Sequence, residues 1–207
     1  MTQIERIEAA GRRRGRVLVW LTDGACLKIT EQELLDFGLR AGDAVDEETC
    51  RRLKAAAGVS DTRSAAAEIM GRRAMSRRDL ERKLLEKGAS QAEARYAAEW
   101  MEAIGAVNDS EYAAMLVRHY GHQGYGAGWV REKLREKGVP CELWDEALEQ
   151  LPEPEEQIER FLKSKLRGGM PEENQRRKLA AALARRGFEW SDVRAALNRL
   201  GAELAEE

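Results

Sequence analysis

Apolar residues follow two different rhythms along this chain. From about residue 61 they recur at i, i+4 and i+7, one face of a helix. Before residue 60 they gather in short β-branched runs broken by turn residues. The helical part also repeats itself. Leu80 with Leu84, Val130 with Leu134, and Leu179 with Leu183 are i, i+4 pairs, each followed four residues on by a glycine: Gly88, Gly138 and Gly187. These glycines lie 50 and 49 residues apart. Self-similarity at a fixed period marks a repeat protein whose units bury their apolar faces against one another. Lys87, Lys137 and Arg186 precede the three glycines. A glycine supplies the left-handed residue that ends a helix, and a cation beside it complements the helix dipole.

The following helix repeats as well. Counting 6, 10 and 13 beyond each glycine gives Ala94, Ala98, Met101, then Trp144, Leu148, Leu151, then Val193, Leu197, Leu200. A leading helix is expected near 62–73, 109–120 and 155–167. Ser76 with Asp79 and Ser90 with Glu93 read as capping boxes, and Pro171 as a helix start. The pattern predicts a mainly α fold of three tandem three-helix repeats in an elongated curved array, at 61–107, 108–153 and 154–207. A small N-terminal module occupies 1–60. There Arg16 to Leu21 and Cys26 to Ile29 flank Asp23 and Gly24, a hairpin signal. Thr30 caps a short helix from Glu31 to Phe37, and a second helix is expected from Glu47 to Ala57, stopped by Gly58. A lone hairpin is marginal in water, so another strand or a helix must support it.

Composition adds little to this picture and removes several alternatives. Charged residues make up 35% and aromatics 6%, as suits helices with wide solvated faces. Cys26, Cys50 and Cys141 are scattered and odd in number, and neither a secretory segment nor an apolar run of membrane length stands out. A reduced, cytoplasmic setting and no membrane are expected. His119 and His122 have metal-compatible spacing but no further ligands beside them, so no metal is assigned. No acid–base pair, activated nucleophile or strand-borne phosphate loop is present, which argues against an enzyme and against a cofactor. Gly124 to Gly128 is glycine-rich, but no strand precedes it, so it reads as an interhelix turn.

The net charge of −2 is unevenly spread. Residues 61–88 hold 8 basic and 5 acidic residues, a local +3, and 176–199 hold 7 and 2, a local +5. Residues 121–175 hold 8 and 12, a local −4. Basic residues also recur in register. Arg77 and Arg78 stand 11 and 10 residues before their glycine, as do Arg176 and Arg177, and Lys83 and Lys133 stand 5 before theirs. Equivalent repeat positions line one surface. With Arg82, Arg131 and Arg185 they are the candidate binding residues, and Arg12, Arg13, Arg14 and Arg16 form a candidate electrostatic tail. Ordinary solvated helix faces, C-terminal caps and a solubilising tail are the competing readings. Trp129, Trp100, Trp144 and Trp190 are read as packing residues.

These residues resemble the RecX family. The likeness is carried by Arg73 to Leu80 running into Lys87 and Gly88, and by Gly105 to Ala113. Gly124, Tyr125, Gly126 with Val130, Leu134 and Lys137 to Val139 continue it, and Arg185 to Phe188 complete it. It covers roughly residues 61–200, with a looser likeness in the N-terminal hairpin and the Leu39 to Asp43 loop. The resemblance implies a non-enzymatic regulator that binds the RecA recombinase filament on single-stranded DNA. It further implies that filament growth, ATPase and coprotease activity are inhibited. It touches single-stranded DNA weakly or through the filament, and a monomer is expected. One departure stands out: where that family usually has basic residues before the second-repeat helix, this chain has Ala127, Gly128 and Trp129. A helical-repeat scaffold for another partner, or a direct single-stranded nucleic-acid binder, remain alternatives.

Overall fold

The computed structural model describes residues 2–10, 15–166 and 172–206, without the side chains of 201–206. Two compact units emerge: Met1–Arg73 with Leu80–Val107, and Ala74–Asp79 with Asn108–Glu207.

The first unit opens with a four-stranded antiparallel sheet. Strands β1 (Thr2–Ala9), β2 (Arg16–Leu21), β3 (Cys26–Thr30) and β4 (Ala44–Val45) lie in the order β3-β2-β1-β4. Ile4, Val19, Leu21, Ile29 and Val45 form its buried face against Leu53. β2 and β3 are the expected hairpin. β1 is the supporting strand that a hairpin requires, and its sequence hides it: the ladder slips between Ile4 and Arg6, so Ile4 and Ile7 carry helical rather than alternating spacing. Thr30 caps α1 (Glu31–Asp36) through a complete capping box with Glu33.

Helix α2 (Glu47–Met70) corrects the expected break at Gly58. The helix runs straight through this glycine, and an added Cβ there would strike the Glu93 carboxylate on α4 (Gln91–Ala103). Gly58 is therefore a point of close helix approach rather than a stop, and the leading helix of the first repeat is the second half of α2. Arg16 is a second correction. It is no part of a free tail: only 7% exposed, it leaves β2 toward α2, where Asp61 lies 2.9 Å from Nη1 and Nη2 donates to Ser64. A buried guanidinium needs such partners. Arg12, Arg13 and Arg14, like Pro171, lie outside the described residues.

Helix α3 (Arg77–Glu86) begins in the second unit and ends in the first. The second unit continues with α5 (Asp109–His122), α6 (Ala127–Glu136), a 3-10 turn at Cys141–Leu143 and α7 (Trp144–Leu148). Then come α8 (Pro154–Lys165), α9 (Glu173–Arg185) and α10 (Trp190–Glu206). Val130 and Leu134 pack with Tyr112, Ala113 and Val117, while Leu179 and Leu183 pack with Ile158, Leu162, Val193 and Leu197. The second and third triads thus each have their own core.

The triads of the second unit are joined end to end. Ser76, fully buried, accepts from the Asp79 N–H at the start of α3 and donates 2.6 Å to the Lys137 carbonyl just past the end of α6. One repeat later the same arrangement is made by backbone alone. The N–H groups of Gly126 and Gly128, at the start of α6, donate 2.8 and 3.0 Å to the carbonyls of Arg186 and Gly187, just past α9. Ser76 and Gly126 occupy the same place, 12 residues before their glycines. Orphan donors of one helix satisfy orphan acceptors of the next, and opposite dipole ends meet.

Gly88, Gly138 and Gly187 all have positive φ, at 93°, 70° and 81°. A Cβ on Gly88 would meet open space, whereas one on Gly187 would enter the Trp129 backbone. Gly88→Ala should cost about 1–2 kcal/mol from backbone strain alone. Gly187→Ala should cost distinctly more in denaturant melts, because the junction must part; equal costs would contradict the close approach.

Candidate binding surface of the helical repeats

The candidate cations divide by what holds them. At the start of α3, the Arg77 backbone N–H donates 2.8 Å to Asp109 Oδ1 on α5. Arg78 is exposed, yet its stem lies over Gly138: a glycine Cβ would come within 3.1 Å of Arg78 Cβ and 3.3 Å of its Cδ. Its guanidinium has no hydrogen bond or ion pair among the described residues. Arg78 is thus brought beside the end of α6. Farther along α3, exposed Arg82 meets Glu86 at 3.4 Å and Lys83 is half-buried.

On α6, Arg131 approaches Asp145 at 3.9 Å. Lys133 meets Glu136 at 2.5 Å and lies 5.1 Å from the centre of the Trp129 ring. The hydrogen bond from Glu136 raises the Lys133 pKa, and Lys133 in turn lowers that of Glu136. Glu132 is likewise lowered by its hydrogen bond from Arg135. Much of the positive charge on this helix is therefore answered locally, in agreement with the acidic balance of the middle repeat.

Trp129 stacks on Tyr125 at 3.9 Å with rings 16° apart, and Tyr120 meets it edge-on at 4.7 Å. Arg186 covers the opposite end of this aromatic group, 5.4 Å from Tyr125 and 5.0 Å from Phe161. Its Nη1 also donates to the carbonyls of Gln123 and Gly124, at 3.2 and 3.0 Å. Trp129 is a packing residue, as expected. Arg186 is more than a helix cap, because it clamps the end of α5 to the end of α9. The missing basic residues also gain an explanation. A Cβ on Gly126 would lie 2.7 Å from the Gly187 carbonyl oxygen, and one on Gly128 3.1 Å from it. A side chain at position 128 would press on the Gly187 carbonyl, so the junction must yield by a few tenths of an ångström to admit a cation there.

On α9, Arg177 pairs with Glu173 at 3.0 Å and Arg176 reaches Asn198 at 3.4 Å. Both line a shallow groove of about 170 Å³ between α9 and α10, together with Trp190 and Arg194. Trp190 is 61% exposed, which corrects its reading as a packing residue. It is the first residue of α10, on the side of Val193 and Leu197 by its i, i+3 and i, i+7 spacing, but it lines the groove rather than the buried core. Arg185 is exposed at the other end of α9. Sequence reasoning missed Arg194, although its place four residues after Trp190 puts both on one helix face.

A regulatory protein RecX of Xanthomonas axonopodis pv. citri (strain 306) is 35% identical over 130 residues, spanning 62% of this chain and 80% of the relative. The chain belongs to the RecX family. A RecX of Trichlorobacter lovleyi is 32% identical over 136 residues, 62% of this chain and 88% of its own. The pattern of the second RecX three-helix domain matches residues 108–148, and that of the third matches 153–197. These matches hold α5 to α7, and α8 to the first half of α10. A crystal structure titled regulatory protein RecX aligns with a TM-score of 0.76 at 24% identity, covering 96% of this chain and all of that one. RecX from Lactobacillus salivarius aligns at 0.61 and 18% identity, over 70% and 97% of the two chains. At those identities the likeness is one of fold. Among the described residues, no helix is long and apolar enough to cross a membrane.

The two kinds of arginine should separate in stability measurements. Arg186→Ala removes two hydrogen bonds from a charged donor and uncovers the aromatic group, so it should cost about 1.5–3 kcal/mol. Arg177→Ala, which breaks only an exposed i, i+4 pair, should change stability by no more than about 0.5 kcal/mol. Urea melts followed by circular dichroism check both values.

Proposed function

We propose that this RecX protein regulates a RecA-type recombinase by binding its filament on single-stranded DNA. In this reading it restrains filament growth and so lowers ATPase and coprotease activity. It acts as a monomer in the cytoplasm, without catalysis of its own. Family membership is the observation that carries the reading, and the register of the cations supports it. Arg77 and Arg78 open α3, and Arg176 and Arg177 stand at the matching places before their glycine, one turn into α9, while the α6 start between them is occupied by a packed junction. Each ten-residue helix spans about 15 Å, so the end-to-end junctions set the cations at intervals that a filament with its own repeat can meet. The acidic stretch between them, a local −4 over residues 121–175, keeps attraction to naked DNA low, because phosphate contacts alone give salt-sensitive, unspecific binding. Contacts to recombinase subunits add affinity once a filament has formed.

The test is ATP hydrolysis by recombinase already assembled on single-stranded DNA, titrated with wild type and with Arg176→Glu/Arg177→Glu at two salt concentrations. Wild type should inhibit, and the folded double variant should inhibit several-fold less. Equal inhibition by both would remove the α9 arginines from the mechanism. No inhibition by wild type at any ratio would overturn the recombinase reading in favour of a scaffold for another partner.

A further inference from the structure

The α9–α10 groove has a chemistry that a general basic surface does not require. Ala180 and Leu197 give it an apolar part, and Arg176, Arg177 and Arg194 line it together with Asn198 and Glu173, whose carboxylate is held by Arg177. Trp190 stands at its edge with most of its surface in solvent. With 61% of Trp190 left in water, most of its apolar surface adds nothing to stability and is free to meet a ligand. The groove volume of about 170 Å³ is close to the ~150 Å³ that takes up a benzene-sized ring in an engineered cavity.

We propose that this groove is a nucleotide subsite that stacks one base of single-stranded DNA on Trp190 and holds the adjoining phosphates with Arg194 and Arg176. Stacking on an aromatic side chain flanked by cations is the physical basis of sequence-tolerant single-strand binding, because every base offers a π-face. Arg194 suits the phosphate role: its guanidinium has no hydrogen bond or ion pair among the described residues. Arg176 is held only by a long contact to Asn198, while Arg177 is already answered by Glu173. Charge complementarity also fits an acidic peptide, but such a partner gives no reason for an open indole beside the guanidinium groups. The proposal deepens the filament reading by assigning part of the contact to DNA, and its test needs no recombinase.

Anisotropy of a labelled twelve-nucleotide oligothymidylate is measured at low salt with the full chain. The comparison proteins are Trp190→Ala, Trp190→Phe and Arg194→Glu, each checked for wild-type helicity and melting. Trp190→Ala and Arg194→Glu should weaken binding about tenfold or more, and Trp190→Phe should retain most of it. An abasic oligomer of equal length and a polyglutamate of equal charge should bind wild type far more weakly than oligothymidylate. Unchanged binding by Trp190→Ala would overturn the proposal. So would an abasic strand or polyglutamate that binds as well as oligothymidylate, which would make the groove an acidic-ligand site. A failure here leaves inhibition of recombinase ATPase by wild type untouched, so the two readings fail separately.

Discussion

Hydrogen bonds between helix ends hold the repeats of the second unit in register. A helix end leaves polar groups that must find partners, and here two ends answer each other. The start of α3 caps the end of α6 through Ser76, and the start of α6 caps the end of α9 through two glycine amides. Because donors and acceptors both come from helix termini, neither helix can slide by a residue without orphaning groups on both sides. Orphaning buried polar groups costs about 1–3 kcal/mol each. The clamp of Arg186 on the carbonyls after α5 reinforces the same junction from outside.

This constraint shapes the surface. Where the junction is made by a side chain, at Ser76, the neighbouring position can carry the long Arg78, whose stem packs over Gly138. Where it is made by backbone, a Cβ would clash at Gly126 and crowd the Gly187 carbonyl at Gly128, and the middle repeat lacks the paired arginines. Its remaining cations are largely paired with glutamates, whereas those of α9 gather around an open groove. The third repeat thus concentrates the chemistry that the middle one gave up to packing.

The periodic features were legible because they rest on local rules. The i, i+4 leucines and the terminal glycines report helix geometry directly, and the left-handed conformations of Gly88, Gly138 and Gly187 follow from it. What escaped the sequence depends on distant partners. Gly58 is a helix stop by local rule, yet the approach of α4 makes it an interior residue. The bulge in β1 gave Ile4 and Ile7 a helical spacing. Arg16 reads as one more residue of a basic run until Asp61 and Ser64 arrive from a helix more than forty residues on. Trp190 has the i, i+3 and i, i+7 spacing of the buried stripe of Val193 and Leu197, so its pattern reads as core although as the first residue of α10 it stays exposed. Among the candidate cations, Glu136 and Glu173 already stand at i, i+3 and i, i+4 places beside Lys133 and Arg177, whereas Asp145 reaches Arg131 from another helix only once the helices are placed.

Hydrogen exchange at two amides tests the end-to-end junction most directly. The N–H groups of Gly126 and Gly128 lie at a helix start, where amides without an intrahelical acceptor ordinarily exchange fast. If they are bonded to the carbonyls of Arg186 and Gly187, NMR-detected exchange should show both protected to a degree comparable with Leu134 in the interior of the same helix. Exchange as fast as in an open helix terminus would contradict the junction, and with it the account of how the repeats are held in register.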